Sequence, residues 1–427
     1  MKPSKAIVTL AIPATLALLA KAVYNIVDTA YIGMLQSDTA LAAVGVTLPL
    51  LLIMVSIENI FAAGAAVLAG RQLGRNDKEE ASRTVTTIVG FSMAVGIGLC
   101  ILGIIFMEPL LYAFGASDTV LPQAKEYALW MFIAALFNLP AQSLNCAARA
   151  ESSAKISSIA VITGAILNVV LDPIFMFSWG FDMGVEGASL ATTISQCVTF
   201  VILVWFYLSG RSVIKVTPKH FKLSVRFLKG VISIGIPTAI IQTCLAAATS
   251  LTNIAAKPLP DADLIIAAYG VVQRLILIGC YIVMGFMQGY QPVASYAFGA
   301  KNESRFHESV LVAAVYIAFA KQFILLFNQN PAVVEFGRWL LVSQVAIYPA
   351  FGLCYMMTIT FQTIGSSKMG VFLSLIRQGA FYVPFILVLP KLWGVAGIYL
   401  SQPAADIITI LVCIFLIKPM KQMASAN

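Results

Sequence analysis

The sequence contains little charge for its length. Charged residues make up 11% of the 427 positions, whereas a soluble domain carries about a quarter. Hydrophobic residues account for 60%, the mean hydropathy is +0.90, and long apolar runs recur along the whole chain. These runs are long enough to cross a bilayer. The composition therefore predicts an all-α polytopic membrane protein and excludes a soluble enzyme.

Residues that carry enzyme chemistry are also scarce. The two histidines, His220 and His307, have no partner at metal-binding or catalytic spacing. No HExxH, GxSxG, Walker or GxGxxG motif occurs, so we expect neither an enzyme nor a bound cofactor. The seven cysteines lie scattered within apolar spans or at their ends without a CxxC pair, which argues against a disulfide framework or a metal cluster.

The net charge of +8 does not indicate nucleic-acid binding. The densest basic cluster lies at residues 211–229, between two apolar spans. Short basic loops of this kind orient membrane proteins with their positive side toward the cytoplasm. If the chain starts inside, most of its basic residues fall in cytoplasmic segments. We therefore predict that both termini are cytoplasmic and that the partner of the protein surface is the lipid bilayer.

Apolar segments divided by polar loops predict twelve transmembrane helices. The predicted spans are residues 10–33, 41–69, 85–107, 125–147, 156–178, 185–208, 231–256, 264–296, 309–327, 333–360, 369–390 and 394–417. The ninth span is uninterrupted only from Val310 to Ala320, whereas a spanning helix needs roughly 20 residues. Either it extends to Phe327 with Lys321 reaching the outer interface, or a stretch is missing there.

The two halves of the chain repeat each other. The Ile-Pro pair at 12–13 recurs at 236–237, an offset of 224 (236 − 12), and Gly-Val-Glu-Gly at 184–187 resembles 394–397, an offset of 210 (394 − 184). Each half holds six predicted spans, so the halves run in the same direction and should form two pseudo-symmetric six-helix bundles. The predicted division is an N-terminal lobe (1–208), a cytoplasmic basic linker (209–230) and a C-terminal lobe (231–427).

Two aspartates, Asp28 and Asp172, lie inside apolar spans. A charged Asp at the centre of a membrane helix costs about 2.5–3.5 kcal/mol on insertion scales, so such a residue usually faces a cavity and has a function. Asn168 precedes Asp172 by four residues and shares its helix face, and Thr192 could add a hydroxyl from the next span. These oxygen ligands suit Na⁺, and two close carboxylates also suit a proton. We predict a cation site at these four residues.

Proline and further polar residues complete the set of candidates. Pro13 lies in the same span as Asp28 and should bend it, either as part of the mechanism or as a static kink. In the second lobe, buried charges of opposite sign should pair, as a structural clamp or as a substrate contact. The substrate-cavity or structural candidates are Asn25, Gln273, Arg274, Gln288, Gln291, Arg377, Gln378 and Asp406. The pattern assigns no role to Lys21 and Glu58.

Taken together, these residues resemble the multidrug and toxic compound extrusion (MATE) family, nearest its DinF-like, MepA-like bacterial branch. The stretches that carry the resemblance are residues 24–29, 168–173, 187–192, 285–292, 377–378 and 401–406. The resemblance implies two six-helix lobes, a V-shaped cavity and rocker-type alternating access. It also implies export of cationic or amphipathic compounds in exchange for H⁺ or Na⁺, with an amino-lobe cation site at Asp28, Asn168, Asp172 and Thr192.

The resulting hypothesis is a secondary multidrug antiporter that works as a monomer in a bacterial inner membrane. One alternative is a lipid-linked oligosaccharide flippase of the same superfamily, which would need a strongly basic cavity. A channel or a receptor-like binding protein is another. At the offset of 224, the position that matches Asp28 is Thr252. We therefore expect ion coupling to be a property of the first lobe alone.

Overall fold

The computed structural model describes residues 3–35, 37–222, 224–256, 258, 272, 281, 284–291, 338–339, 342–343 and 348–426. This part of the chain is helical and contains no β-strand. Its α-helices are α1 (Pro3–Met34), α2 (Asp38–Gly74), α3 (Lys78–Ile105), α4 (Met107–Ala113), α5 (Leu121–Ala150), α6 (Ala154–Met176), α7 (Gly184–Leu208), α8 (Val225–Ala256), α9 (Tyr348–Ile364), α10 (Ser367–Leu375), α11 (Val383–Trp393) and α12 (Val395–Ala426). A 3-10 helix (Pro218–His220) lies between α7 and α8, and a π-helical segment (Ile376–Tyr382) joins α10 to α11.

Nine stretches of the described helices are long and apolar enough to cross a membrane. They are Thr9–Met34, Ala42–Gly74, Lys78–Ile105, Leu121–Ala150, Ala154–Met176, Gly184–Leu208, Val225–Cys244, Ser367–Trp393 and Val395–Met420. Large apolar side chains such as Ile105 and Phe415 are exposed on them, as expected for surfaces that contact lipid rather than water. The prediction of an all-α polytopic membrane protein is confirmed.

Most predicted spans coincide with observed helices, whose ends differ from the predicted ones: α3 begins seven residues earlier (85 − 78), and α6 ends two residues earlier (178 − 176). The spans 264–296 and 333–360 are described only in part, and the short ninth span, 309–327, lies outside the described residues. Helix α4 was not predicted. Helix α3 ends at Ile105, and the chain then forms the short helix α4, whose Glu108 contacts Lys125 of α5 at 3.0 Å.

Two helices begin at side-chain caps that the sequence supplies. The hydroxyl of Ser37 accepts a hydrogen bond from the N–H of Ala40 at the start of α2. At the start of α3, a carboxylate oxygen of Asp77 accepts from the N–H of Glu80 at 2.9 Å. Each cap satisfies a donor that the first helical turn leaves unpaired. The acidic first turn of α3 also stabilises that end of the helix, because the N-terminus carries partial positive charge.

The chain divides into two compact units. The first comprises Lys5–Gly235 and the stretch Gln288–Tyr296, and the second comprises Ile236–Met287 and Ala297–Asn427. The division falls inside α8, a few residues beyond the predicted linker 209–230.

Hydrogen bonds between neighbouring helices hold the first unit together. The hydroxyl of Tyr207 on α7 donates to the carbonyl of Leu144 on α5 at 2.9 Å. Thr199, also on α7, donates to the carbonyl of Ala160 on α6 at 3.3 Å. Hydroxyls that bond across helices are typical of membrane bundles, where the apolar surroundings offer no other partner. These bonds hold α5, α6 and α7 together, and the last two carry three of the predicted cation-site residues.

The internal repeat is visible in backbone geometry. Gly184 precedes the body of α7 with φ of +54°, and the matching Gly394 precedes α12 with φ of +56°. Three residues later, a Cβ at Gly187 would lie 2.7 Å from the backbone of Phe175, and one at Gly397 would lie 2.2 Å from Leu389. Each pair of glycines therefore makes the same tight helix–helix connection.

The basic segment between α7 and α8 is attached to the first unit. The carboxylate of Glu151, at the end of α5, accepts hydrogen bonds from the hydroxyl of Ser212 at 2.7 Å and from the N–H groups of Val213 and Ile214. Burial raises the pKa of Glu151, and these hydrogen bonds oppose that rise. Ser82 of α3 accepts a further bond from the N–H of Lys215. The segment predicted as a linker therefore packs against the ends of α3 and α5.

Candidate functional site

Three of the predicted cation-site residues contact one another between α6 and α7. Asn168 and Asp172 lie one turn apart on α6, and both are buried. The Nδ2 atom of Asn168 donates to Oδ1 of Asp172 at 3.1 Å and to Oγ1 of Thr192 at 3.2 Å. The i, i+4 spacing places the amide and the carboxylate on one helix face, and that face meets α7 at Thr192.

Asp28 on α1 completes this group, since it lies within electrostatic range of Asp172. We call Asp28, Asn168, Asp172 and Thr192 the carboxylate cluster. It contains three buried oxygen atoms without a hydrogen-bond partner in the described part of the chain: Oδ1 of Asp28, Oδ1 of Asn168 and Oδ2 of Asp172. A buried acceptor left unpaired costs about 1–3 kcal/mol, and more when it is charged. The cluster is therefore a place where a proton or a hard cation would be stabilised.

Tyr127 on α5 is a residue of this site that sequence reasoning missed. It lies within electrostatic range of both Asp28 and Asp172, and its ring packs against the apolar group that includes Met176 and Ala188. Nothing in the pattern of the span marks it, because a tyrosine near the end of a membrane helix is common.

A cavity of about 60 Å³ lies beside the cluster within the first unit. Its wall includes Asn168 and Thr192 from the cluster, together with the charged residues Lys21, Glu58 and Arg149. A water molecule needs about 10–15 Å³ of such space, so the cavity has room for several.

Lys21 and Glu58, to which the sequence assigned no role, both face this cavity. Glu58 on α2 is 3% exposed and accepts a hydrogen bond from Nδ2 of Asn138 on α5 at 2.8 Å. Lys21 on α1 lies within electrostatic range of Glu58. Their charge inside membrane helices was the available signal, but the sequence alone did not show that the two residues interact.

The other candidates on α1 and in the stretch 284–291 occupy different places. Pro13 lies inside α1, which continues as one helix through it. Asn25 is partly exposed, and its backbone carbonyl accepts a hydrogen bond from Thr29 at 2.8 Å. Gln288 lines the cavity of the first unit, and Gln291, also predicted, is partly exposed.

In the second unit, Arg377 and Asp406 form a two-pronged ion pair. Nε and Nη2 of Arg377 donate to the two carboxylate oxygens of Asp406 at 2.8 and 3.2 Å. Gln402 donates to the same carboxylate at 3.0 Å. Gln378 is buried beside Arg377 at a smaller cavity. The two remaining candidates, Gln273 and Arg274, lie outside the described residues.

The position that matches Asp28 in the second unit carries a neutral side chain, Thr252. Thr252 donates to the carbonyl of Ala248 at 2.9 Å, and its hydroxyl lies 2.5 Å from the hydroxyl of Tyr382. Either hydroxyl can be the donor in this contact. The two units therefore differ at this point, where the first carries a carboxylate and the second a hydroxyl.

A bundle of membrane helices with an internal repeat and a polar cavity within one repeat is an architecture found in membrane transporters. The family model described as MatE matches residues 13–174 and, a second time, residues 237–388. Together these matches cover more than half of the chain, which therefore belongs to the MatE family. They begin 224 residues apart (237 − 13), the offset of the Ile-Pro repeat.

Known proteins resemble the chain along almost its whole length. The multidrug export protein MepA of Staphylococcus aureus (strain N315) is 26% identical over 416 residues, which cover 94% of this chain and 90% of MepA. The crystal structure of MATE in complex with MaL6 matches with a TM-score of 0.92 at 23% identity, covering 100% of this chain and 97% of the other. The outward-facing structure of a multidrug resistance MATE family transporter of the MOP superfamily gives the same values. The predicted family and its fold of two pseudo-symmetric six-helix bundles are confirmed.

Proposed function

We propose that this protein is a secondary active multidrug efflux antiporter. It exports small cationic or amphipathic compounds in exchange for H⁺ or Na⁺ by alternating access. The similarity to MepA, a multidrug export protein, supports the export of diverse compounds. The proposed coupling of export to cation entry rests on the carboxylate cluster. In this cluster, three buried oxygens of Asp28, Asn168 and Asp172 have no hydrogen-bond partner among the described residues.

Cation binding at the cluster follows from its electrostatics. Two carboxylates that lie within range of each other repel when both are charged, and burial strengthens this repulsion because the surroundings screen it poorly. A proton on either carboxylate, or a sodium ion between them, removes the repulsion and satisfies the unpaired oxygens. Oxygen ligands from carboxylates, an amide and a hydroxyl are hard donors, which suit an alkali cation as well as a proton.

The cluster joins three helices, so its charge state can alter their packing. Asp28 belongs to α1, Asn168 and Asp172 to α6, and Thr192 to α7. When the cation leaves, the repulsion between Asp28 and Asp172 favours an arrangement in which α1 lies farther from α6. Pro13 weakens the hydrogen-bond ladder of α1, which lowers the cost of that movement. The coupling cation can shift the equilibrium between the two arrangements of α1 only to the extent that it binds one of them more tightly than the other.

The proposed location is the cytoplasmic membrane of a bacterium, with both termini inside. The excess of basic residues in the predicted cytoplasmic segments supports this orientation, and the bacterial origin of MepA supports the type of membrane. We propose that the protein is a transporter and not an enzyme. We also expect that it transports its substrates as a monomer.

An efflux assay in cells tests the proposal. Asp28→Asn and Asp172→Asn each remove one charge with little change of shape, so dye export should fall to the level of cells without the protein. Asp182→Asn is the matched control, because Asp182 is an exposed residue of the loop between α6 and α7 and should export at the wild-type rate. Wild-type export by both Asp28→Asn and Asp172→Asn at equal expression would defeat the proposal.

A further inference from the structure

The basic segment between α7 and α8 carries charges that the proposed transport mechanism does not use. We call residues 209–222 the strap. It contains four basic residues, Arg211, Lys215, Lys219 and Lys222, and no acidic one. All four are exposed, and none of them forms an ion pair within the described part of the chain. Their charges are therefore available to a partner outside the protein.

Hydrogen bonds to its backbone fix the strap on the first unit. Glu151 accepts three bonds near its start. Further along, the N–H of Lys215 donates to the hydroxyl of Ser82 at 2.9 Å, and the N–H of Lys222 donates to that of Thr87 at 3.2 Å. These two bonds use the backbone of a lysine and leave its ammonium group at the surface. A partner therefore meets cations on an ordered backbone, which lowers the entropy cost of binding.

The end of the strap lies beside the apolar span of α3, predicted at 85–107. The ring of Phe221 packs against that of Phe91 with the centroids 6.0 Å apart, and a Cβ at Gly90 would lie 2.6 Å from the Phe221 ring. Gly90 is five residues inside the span (90 − 85), about 8 Å along the helix at 1.5 Å per residue. Segments that lie in a membrane interface bury their apolar side chains about 5–10 Å deep. Phe221 therefore lies at the depth of an interfacial anchor, with Lys222 beside it.

Exposed apolar and aromatic side chains accompany the cations. Val213 and Phe221 of the strap are exposed, and so is Trp205 in the last turn of α7. The guanidinium of Arg211 lies over the Trp205 ring, 5.1 Å from its centroid. Tryptophan is enriched where membrane helices meet the lipid headgroups. This pair therefore places a cation at headgroup level beside a surface that contacts lipid chains.

The start of α8 extends the positive surface. Arg226 and Lys229 are exposed, and the first turn of α8 contains no acidic residue. The partial positive charge of a helix N-terminus disfavours cations there, so helix stability does not explain Arg226. An anion bound beside the strap would be attracted by these side chains and by the helix end alike.

We propose that the strap and the start of α8 form a binding surface for anionic phospholipids. The headgroup phosphate pairs with the basic side chains, while the acyl chains lie along Phe221 and Trp205. Clusters of four to eight basic residues directly beside a membrane span are typical of such recognition. A free phosphate would use the cations but leave the apolar side chains without a partner, so a lipid fits both kinds of surface. Lipid binding of this kind is separate from the proposed export function and does not depend on it.

Lipid binding to the purified full-length protein in a non-ionic detergent tests the proposal. The probes are phosphatidylglycerol, which is anionic, and phosphatidylcholine, which is zwitterionic, with identical acyl chains. Native mass spectrometry at increasing lipid concentration gives the dissociation constant of the first lipid that binds. Each basic residue near an anionic lipid contributes about 1 kcal/mol, which is about fivefold in affinity. A headgroup that meets two of them should therefore favour phosphatidylglycerol at least about tenfold. Equal affinity for the two lipids overturns the proposal without the need for a variant.

Competition with inorganic phosphate separates a lipid site from a phosphate site. Phosphate in about thousandfold excess over lipid should displace no more phosphatidylglycerol than chloride does at the same ionic strength, because screening by salt is then the same. Displacement by phosphate beyond that of chloride would show that the surface recognises the free anion, and the proposal would be wrong.

Variants assign the preference to the strap. The test variant replaces its four basic residues with glutamine: Arg211→Gln, Lys215→Gln, Lys219→Gln and Lys222→Gln. The matched control removes the same residue types from exposed positions outside the strap: Arg75→Gln, Lys155→Gln, Lys368→Gln and Lys391→Gln. The preference for phosphatidylglycerol should fall to within about threefold in the test variant, where only the two cations of α8 remain, and stay at the wild-type value in the control. A preference that survives in the test variant, or an equal loss in both, contradicts the assignment.

A charge-preserving variant guards against a loss caused by altered folding. Lys215→Arg/Lys219→Arg/Lys222→Arg changes three of the same positions but keeps every charge, so it should bind phosphatidylglycerol with the wild-type preference. Loss of the preference in this variant would show that charge is not the property recognised, and would overturn the proposal. Binding is measured without a gradient across a membrane, so its outcome is independent of the export assay.

Discussion

Two buried aspartates in spanning helices have contrasting environments. Asp406 accepts two hydrogen bonds from Arg377 and one from Gln402, so its charge is compensated within the protein. Asp172 accepts one bond, from Asn168, and its Oδ2 atom has no partner in the described part of the chain. A buried carboxylate that is fully paired is best explained as structural. The incompletely paired Asp172 is the one that a cation can stabilise.

Thr192 provides a conservative test of the cluster. Thr192→Val keeps the shape of the side chain and removes the oxygen that accepts from Asn168 at 3.2 Å. Half-maximal transport should then require about two- to tenfold more coupling cation, because a hydrogen bond between neutral groups contributes about 0.5–1.5 kcal/mol. Transport measured at a series of cation concentrations gives this value.

The control for Thr192→Val is Thr409→Val. Thr409 is a buried threonine of α12 whose hydroxyl donates to the backbone carbonyl of Ala405. Thr409→Val should leave the dependence of transport on cation concentration unchanged. An unchanged cation dependence in Thr192→Val would remove Thr192 from the site.

At the residue scale, local relations could be predicted and distant ones could not. The i, i+4 spacing of Asn168 and Asp172 is visible in the sequence, and so is the presence of charge at Lys21 and Glu58. The bond between Glu58 and Asn138 joins residues 80 positions apart, and the approach of Tyr127 to the carboxylates joins different helices. Such contacts depend on how helices rotate and cross, which a single sequence does not determine.

At the scale of elements, hydrophobic runs located the helices but not their irregularities. Hydropathy predicts the span 369–390 as one helix, yet the structure divides it into α10, a π-helical segment at Ile376–Tyr382 and α11. A π-helical turn leaves the composition of a span unchanged, so hydropathy cannot detect it. The segment contains Arg377, which forms the ion pair with Asp406.

The repeated glycine connections make a prediction about stability. Gly184→Ala and Gly394→Ala should each destabilise the protein by about 1–3 kcal/mol, because alanine is strained at positive φ. An added Cβ meets no atom within 4 Å at either position, so backbone strain is the whole effect. Thermal unfolding of the purified protein measures it.

Two further substitutions provide a more destabilised variant and a control for comparison. Gly187→Ala should destabilise the protein more than Gly184→Ala does, because the added Cβ would lie 2.7 Å from the backbone of Phe175. Gly45→Ala on α2 is the control, because its Cβ also meets nothing within 4 Å and alanine favours a helix over glycine by about 0.5–1 kcal/mol. Equal stability of Gly184→Ala and Gly45→Ala would contradict the role given to positive φ.

At the scale of the whole molecule, duplication explains the fold and the difference between the halves. The same Ile-Pro and Gly-x-x-Gly features recur in both, and the MatE model matches twice. The two units nevertheless carry different chemistry. Asp28 belongs to a carboxylate cluster, whereas the matching Thr252 is a neutral side chain whose hydroxyl contacts that of Tyr382. The repeat was readable from the sequence because it preserves short motifs at nearly constant offsets.

The central claim is that cation binding at Asp28 and Asp172 drives export. Its most direct test is substrate transport in proteoliposomes under separately imposed pH and sodium gradients, with wild-type protein, Asp28→Asn and Asp172→Asn. We predict that one of the two gradients accelerates transport by the wild type and that neither does so in the variants. Wild-type flux that responds to neither gradient, or variants that respond as the wild type does, would contradict the account.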